Sequence, residues 1–84
     1  MKEFSEKLLK EIKKIIPGNQ KVEFSSVMKN NGVTEEAVSI VEKNKNISPT
    51  IYLSEFYEWY KEGVELEFLA AEIVRRNNEY KLEE

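Results

Sequence analysis

The chain has 84 residues, of which 40% are apolar and 35% charged, and its net charge is −3. This composition is typical of one small globular domain and too apolar for a fully disordered chain. The sequence contains no histidine and no cysteine, and every acidic residue is a glutamate. These absences exclude disulfides, the usual zinc sites and most nucleophile–base pairs, so we expect a non-enzymatic domain with no metal and no cofactor.

Charge is distributed unevenly along the chain. Residues 1–53 carry nine lysines against seven glutamates, whereas residues 54–84 carry two lysines and two arginines against nine glutamates. A nucleic-acid binder needs a basic footprint, so we expect no direct contact with nucleic acid. The N terminus leads into a charged amphipathic segment, and no apolar run approaches the roughly 20 residues that span a bilayer. Together with the lack of cysteine, this predicts an acidic, cytoplasmic protein with no membrane partner.

A first helix is predicted over residues 2–16, because apolar residues recur at helical spacing. Glu3 and Lys7 stand at the favourable i,i+4 offset, and Pro17 with Gly18 ends the helix. The apolar stripe consists of Phe4, Leu8, Ile12, Ile15 and Ile16.

Residues 21–29 and 33–42 are predicted to form a β-hairpin, since apolar residues alternate in both. A two-residue turn would place Phe24 opposite Ser39. A three-residue turn, with Gly32 in a left-handed conformation, places Phe24 opposite Val38. We favour the second register because it collects the larger apolar residues on one face. In the first strand that face carries Val22, Phe24, Ser26 and Met28, with Val22 opposite Ile40.

A polar turn at residues 44–46 precedes a third predicted strand at residues 47–53. Pro49 donates no ladder hydrogen bond, which indicates a sheet edge or the beginning of the strand. The apolar residues expected on one side of this strand are Ile47, Ile51 and Leu53.

Two helices follow the third strand. Ser54 is predicted to cap a helix over residues 54–62, which Gly63 ends, and a last helix covers residues 65–80. The expected architecture is one α+β domain over residues 1–84, in the order α-β-β-β-α-α. It has a three-stranded antiparallel sheet with helices packed on one face, the first and third helices being the covers. The residues expected to be buried in the last helix are Leu66, Leu69, Ala70, Ile73 and Val74.

Three short motifs stand in a characteristic order: Lys-Asn-Asn-Gly-Val at residues 29–33, Ser-Pro-Thr-Ile-Tyr-Leu at residues 48–53, and Phe-Tyr-Glu at residues 56–58 followed by Tyr60 and Gly63. Over roughly residues 22–73 the chain resembles the N-terminal portion of an uncharacterised bacterial family of unknown function. The resemblance implies the topology but no activity and no site. It also implies longer relatives, so the chain is either a short stand-alone version or the N-terminal segment of a longer parent protein.

Residues 52–60 contain five aromatic side chains. One interpretation is a short helix held against the sheet by its aromatic face. The other is a partner-binding site with Tyr57 or Trp59 partly exposed, because tyrosine and tryptophan are typical anchors of protein interfaces. We call the candidate site the aromatic surface, and its residues are Tyr52, Tyr57, Glu58, Trp59, Tyr60 and Glu62.

The leading functional prediction is a non-enzymatic protein-interaction module. Its partner is another protein, a second copy, or the rest of a longer parent chain. The alternative is a small acidic inhibitor or regulator that occupies the basic nucleic-acid-binding surface of a target protein. Tyr57 and Lys61 also match the Tyr-x-x-x-Lys pair of short-chain dehydrogenases, but the chain has neither their glycine fingerprint nor their length.

Overall fold

The computed structural model describes residues 2–43 and 48–82. The predicted α+β order α-β-β-β-α-α is confirmed. The helices and strands are α1 (Lys2–Ile15), β1 (Gln20–Met28), β2 (Thr34–Glu42), β3 (Ile51–Tyr52), α2 (Ser54–Lys61) and α3 (Leu66–Leu82).

The three strands form one antiparallel sheet in the order β1-β2-β3. In the hairpin, Phe24 lies opposite Val38 and Val22 lies opposite Ile40, which confirms the register of a three-residue turn. Val38 also lies opposite Ile51 of β3. Since side chains alternate between the two faces of a strand, this register brings the larger apolar residues of all three strands to one face.

The hairpin turn is built around a left-handed glycine. Gly32 has φ +82°, and its N–H donates to the Lys29 carbonyl at 2.9 Å. The Lys29 N–H donates to the Val33 carbonyl at 2.9 Å, and the Val33 N–H donates to Oδ1 of Asn31 at 3.0 Å. The turn therefore satisfies its own backbone donors and leads directly into the ladder.

The third strand is shorter than predicted. It comprises Ile51–Tyr52, whereas residues 48–50 are not strand. Pro49 has no N–H to donate, so the ladder cannot continue through it. Beyond Tyr52, the Leu53 N–H donates to the Glu36 carbonyl at 3.0 Å. The predicted turn at residues 44–46 and the predicted inward position of Ile47 lie outside the described residues.

Helices α1 and α3 pack on the apolar face of the sheet, as predicted, and enclose the core. A large apolar side chain contributes about 1.5–3 kcal/mol when it is fully buried. Contacts between side chains of the sheet and the helices therefore provide most of the stability of so small a domain. The core consists of Phe4, Leu8, Ile12, Val38, Ile40, Ile51, Leu53, Phe56, Leu69, Ala70 and Ile73.

Three side chains on the predicted apolar faces lie outside the core. Ile15 is 50% exposed, while Ile16 packs against the core. The buried residues of α1 are spaced by four, and Ile16 continues that spacing, so Ile15 falls to one side of it. Ser26 is exposed and Met28 is 73% exposed, because the end of the hairpin extends beyond the helices that cover the rest of the sheet.

The start of α2 also differs from the prediction. Ser54 is the first helical residue, and Leu53 occupies the N-cap position without a side-chain hydrogen bond. Burial of Leu53 in the core, rather than a hydroxyl cap, therefore positions this end. At the other end Gly63 has φ +102°, and its N–H donates to the Tyr60 carbonyl, as the predicted glycine stop requires.

Within the described part of the chain, no helix has the combination of length and apolar character that crossing a membrane demands.

Replacing Gly32 with alanine should lower the free energy of unfolding by about 1–2 kcal/mol, because a Cβ is disfavoured in the left-handed region. Urea unfolding measures the change. Gly18→Ala is the matched control: its φ is not positive and its added Cβ meets open space, so stability should stay unchanged or rise by up to about 1 kcal/mol. Equal losses in both variants would contradict the role of Gly32.

Candidate functional site

Helix α2 divides its aromatic side chains between the core and the surface. Phe56 is fully buried, whereas Tyr57, Trp59 and Tyr60 are half-buried. The Trp59 ring meets the Phe56 ring edge-on, with centroids 5.3 Å apart. Neither Tyr57 nor Trp59 is therefore a free surface ring, yet each keeps part of its area in solvent.

The aromatic face of α2 packs against another helix as well as the sheet. Phe4 of α1 lies 5.4 Å from the Tyr57 ring and 5.0 Å from the Tyr60 ring, measured between centroids. These three side chains and Glu3 line a cavity of about 120 Å³. Tilted ring pairs add about 0.5–1.5 kcal/mol each beyond area burial, so Phe4 is the anchor that holds α2 against α1.

Arg76 ties α3 to the same helix. Its guanidinium lies 4.8 Å from the Phe56 ring centroid and 5.9 Å from that of Trp59. Its Nη2 donates to the Glu55 carboxylate at 3.2 Å. The guanidinium thus covers the outer side of the ring pair while its charge stays partly in solvent.

Tyr52 lies on the opposite face of the sheet from the α2 rings. Ile51 points into the core, so its neighbour Tyr52 points to the face without helices, where it is 39% exposed. Nζ of Lys29 lies 4.8 Å from the Tyr52 ring centroid and 2.6 Å from the Glu35 carboxylate. The hydrogen bond that the Lys29 ammonium donates to the Glu35 carboxylate raises the pKa of Lys29. The fold therefore brings Tyr57, Trp59 and Tyr60 together and separates Tyr52 from them.

The surroundings of Tyr52 were not predicted from the sequence. Its ring borders a depression of about 570 Å³ between the hairpin turn and β3, lined also by Val27, Met28, Lys29, Asn30 and Asn31. Met28 was predicted to share the apolar face of the first strand, so nothing in the alternation marked it as an exposed residue. The feature of the sequence that could have indicated this depression is the hairpin register, because it places the turn beside the strand that follows.

Glu58, Lys61 and Glu62 complete the exposed side of α2. Nζ of Lys61 lies 3.0 Å from the Glu58 carboxylate and 5.0 Å from the Tyr57 ring centroid. The hydrogen bond with Glu58 raises the pKa of Lys61. Lys61 is half-exposed and lies over the face of the tyrosine ring, a cation–π contact. Glu62 is exposed, and its N–H donates to the carbonyls of Glu58 and Trp59 at the end of the helix.

Three glutamates of the C-terminal half, Glu55, Glu72 and Glu79, pair with arginines. Arg75 bonds to Glu72 and to Glu79, and Arg76 bonds to Glu55 with its Nε 3.5 Å from Glu72. The hydrogen bond from Arg75 lowers the pKa of Glu72. On α3, these pairs neutralise Glu72 and Glu79. Within residues 2–43 and 48–82, acidic side chains form no group of three that could hold a metal ion.

One buried polar residue was not predicted from the sequence. Asn77 is 1% exposed, and neither its Oδ1 nor its Nδ2 has a hydrogen-bond partner within residues 2–43 and 48–82. It stands four residues after the buried Ile73 and so continues the apolar stripe of α3. The position of Asn77 on the helix, rather than the chemistry of its side chain, could have indicated that it is buried. An unpaired buried amide destabilises the fold.

The chain is a small α+β domain in which a three-stranded antiparallel sheet is covered on one face by helices. It belongs to a family of unknown function, DUF5688, whose model matches residues 1–84. The match extends beyond the stretch of roughly residues 22–73 on which the sequence resemblance depended. Comparisons with curated proteins and with solved structures gave no match.

Replacing Asn77 with leucine should raise the free energy of unfolding by about 1–2 kcal/mol, because an unpaired buried amide is removed and apolar area is gained. Chemical denaturation measures this change in the free energy of unfolding. Asn78→Leu is the control, since Asn78 is exposed and its replacement should change stability by less than about 0.5 kcal/mol. A loss of stability specific to Asn77→Leu would indicate a bound partner for the amide.

Glu72→Gln should make the free energy of unfolding depend less on pH under acidic conditions. The pKa of Glu72 is lowered in the folded protein, so its pairing stabilises the fold above the unfolded pKa of about 4.3 and is lost as the pH falls through the lower folded value. The difference in unfolding free energy between wild type and Glu72→Gln should therefore shrink from about pH 6 to about pH 3. Glu6→Gln on the exposed side of α1 is the control, and an equal flattening there would contradict the assignment.

Proposed function

We propose that this chain is a non-enzymatic protein-interaction module that contacts its partner through the aromatic surface. The observation that carries the proposal is that Tyr57, Trp59 and Tyr60 retain exposed area beside the exposed Glu58 and Glu62. Rigid aromatic side chains offer a large contact area at low entropic cost, and their polar tips tolerate solvent in the free state. The rings are already held by Phe4 and Arg76, so binding requires little further ordering.

Tyr52 provides the second part of the contact. It is the most exposed ring of the aromatic surface, and the depression beside it is bordered by Met28 and Lys29. Methionine adapts to irregular apolar shapes, and the Lys29 ammonium beside the ring is already paired with Glu35. The partner surface that fits this depression therefore has a protruding apolar side chain.

The proposed setting follows from the sequence. We infer a bacterial and cytoplasmic protein, which the cysteine-free composition and the three motifs support. Its partner is another protein or the rest of a longer parent chain, without direct contacts to nucleic acid or membrane. The alternative, an acidic inhibitor of a basic nucleic-acid-binding surface, gains no support from the structure, because Glu55, Glu72 and Glu79 are paired with arginines.

Tyr52→Ala should weaken partner binding at least tenfold, since loss of an interface anchor costs about 2 kcal/mol or more. The partner is first identified by purifying the native protein from its host, and its affinity is then measured by titration calorimetry. Phe68→Ala is the matched control, because Phe68 is a 64% exposed ring on α3, outside the aromatic surface.

Circular dichroism and urea unfolding establish that both variants are folded. If folded Tyr52→Ala and Trp59→Ala variants bind the partner with wild-type affinity, the aromatic surface is not the binding site.

A further inference from the structure

The strand β1 lies at one edge of the sheet. Among the residues that the structure describes, it pairs with β2 alone, over nine residues in continuous register. The hairpin bond from the Lys29 N–H to the Val33 carbonyl and the bond from the Lys43 N–H to the Asn19 carbonyl define which residues face β2. Hydrogen-bonded pairs alternate along an antiparallel ladder. The backbone groups that point outward therefore belong to Val22, Phe24, Ser26 and Met28.

The two edges of the sheet are protected differently. On the β3 side, the strand has two residues and Pro49 precedes it, so little edge is available for another strand. Strand β1 has neither a proline nor a bulge, and its central residues Ser25 and Ser26 are small. A long regular edge with free donors and acceptors is a template for a further strand.

We propose that a second copy of this chain pairs antiparallel with the outer edge of β1, with the two-fold axis at Val22, so that two sheets join into one. The Val22 backbone groups then bond reciprocally across the axis. Each Phe24 N–H donates to the partner copy's Gln20 carbonyl. The Gln20 N–H is already engaged, since it donates to the Pro17 carbonyl at 3.1 Å.

Charge selects this register. With Val22 on the axis, Lys21 lies opposite the partner copy's Glu23, and symmetry repeats the pair. Both side chains are exposed and stand on the face without helices. They have no ion-pair or hydrogen-bond partner in the described part of the chain, so they are available for a partner across the axis.

The neighbouring registers are worse. Moving the partner by one step places Glu23 opposite Glu23 in one direction and Lys21 opposite Lys21 in the other. Centring the axis on Phe24 leaves Lys21 opposite Val27 and forms no ion pair. Centring it on Ser26 pairs Glu23 with Lys29, whose ammonium is already held by Glu35 at 2.6 Å. Like charges directly opposite one another are destabilising, so the Val22 register is favoured.

The shape of the domain fits the same register. A depression of about 480 Å³ lies between the end of α1 and the start of β1, lined by Lys13, Ile16, Pro17, Gly18, Gln20, Lys21 and Val22. With Val22 on the axis, the partner copy's Phe24 stands opposite Gln20, on the helix side of the sheet. The exposed part of that ring then lies beside Ile16 and Pro17, which gives the pairing an apolar contact.

This self-pairing goes beyond the proposed function, because it uses the β1 edge and leaves the aromatic surface free. The test is sedimentation equilibrium of the full chain from about 1 µM to about 1 mM, where contacts of modest area associate. The wild-type mass should rise towards twice 9.9 kDa. Lys21→Glu and Glu23→Lys should each raise the dissociation constant roughly tenfold or more, because each places like charges opposite one another twice.

The charge-swapped double variant, Lys21→Glu with Glu23→Lys, should restore the dissociation constant to within about threefold of wild type. Lys10→Glu is the matched control for Lys21→Glu: it makes the same change in net charge as that single variant, at an exposed position on α1, and should leave the mass unaltered. A monomeric wild type throughout the range overturns the proposal. So does a dimer that tolerates Lys21→Glu, or a double variant that stays monomeric.

Discussion

The left-handed turn at Gly32 is the constraint on which the rest of the fold depends. Its conformation determines that Phe24 pairs with Val38 and Val22 with Ile40. A shift of one residue would turn every side chain of one strand to the other face. The apolar face to which α1 and α3 pack would then be interrupted by serine and glutamate. One three-residue loop thus determines which side chains reach the core and which backbone groups of β1 point outward.

The aromatic residues link the layers that this sheet supports. Phe4 joins α1 to Tyr57 and Tyr60, and Arg76 joins α3 to Phe56 and Trp59. These contacts hold α2, which has only eight residues and no side-chain cap at its start. A helix so short has little stability of its own, so its position is determined by ring packing. The same packing leaves part of each surface ring in contact with solvent.

Two surfaces remain for function in a domain of this family. The aromatic surface combines rings on α2 with Tyr52 on the other side of the sheet, where Met28 and Lys29 border a depression. The β1 edge offers backbone groups and the complementary charges of Lys21 and Glu23. Because they lie on different parts of the domain, the proposed self-pairing and the proposed partner binding do not compete. A paired module would present two aromatic surfaces to its partner, which would strengthen binding through a second attachment.

The sequence by itself determined the order of helices and strands, the hairpin register and most of the core. Each of these follows from a local period of apolar residues and from the backbone freedom of Gly32. Only the tertiary structure decided that Tyr52 is separated from the α2 rings, that Met28 leaves the core, and that Asn77 enters it. Those outcomes depend on where one element ends relative to another that is distant in the chain. Periodicity within a segment carries no information about how such distant elements are placed relative to one another.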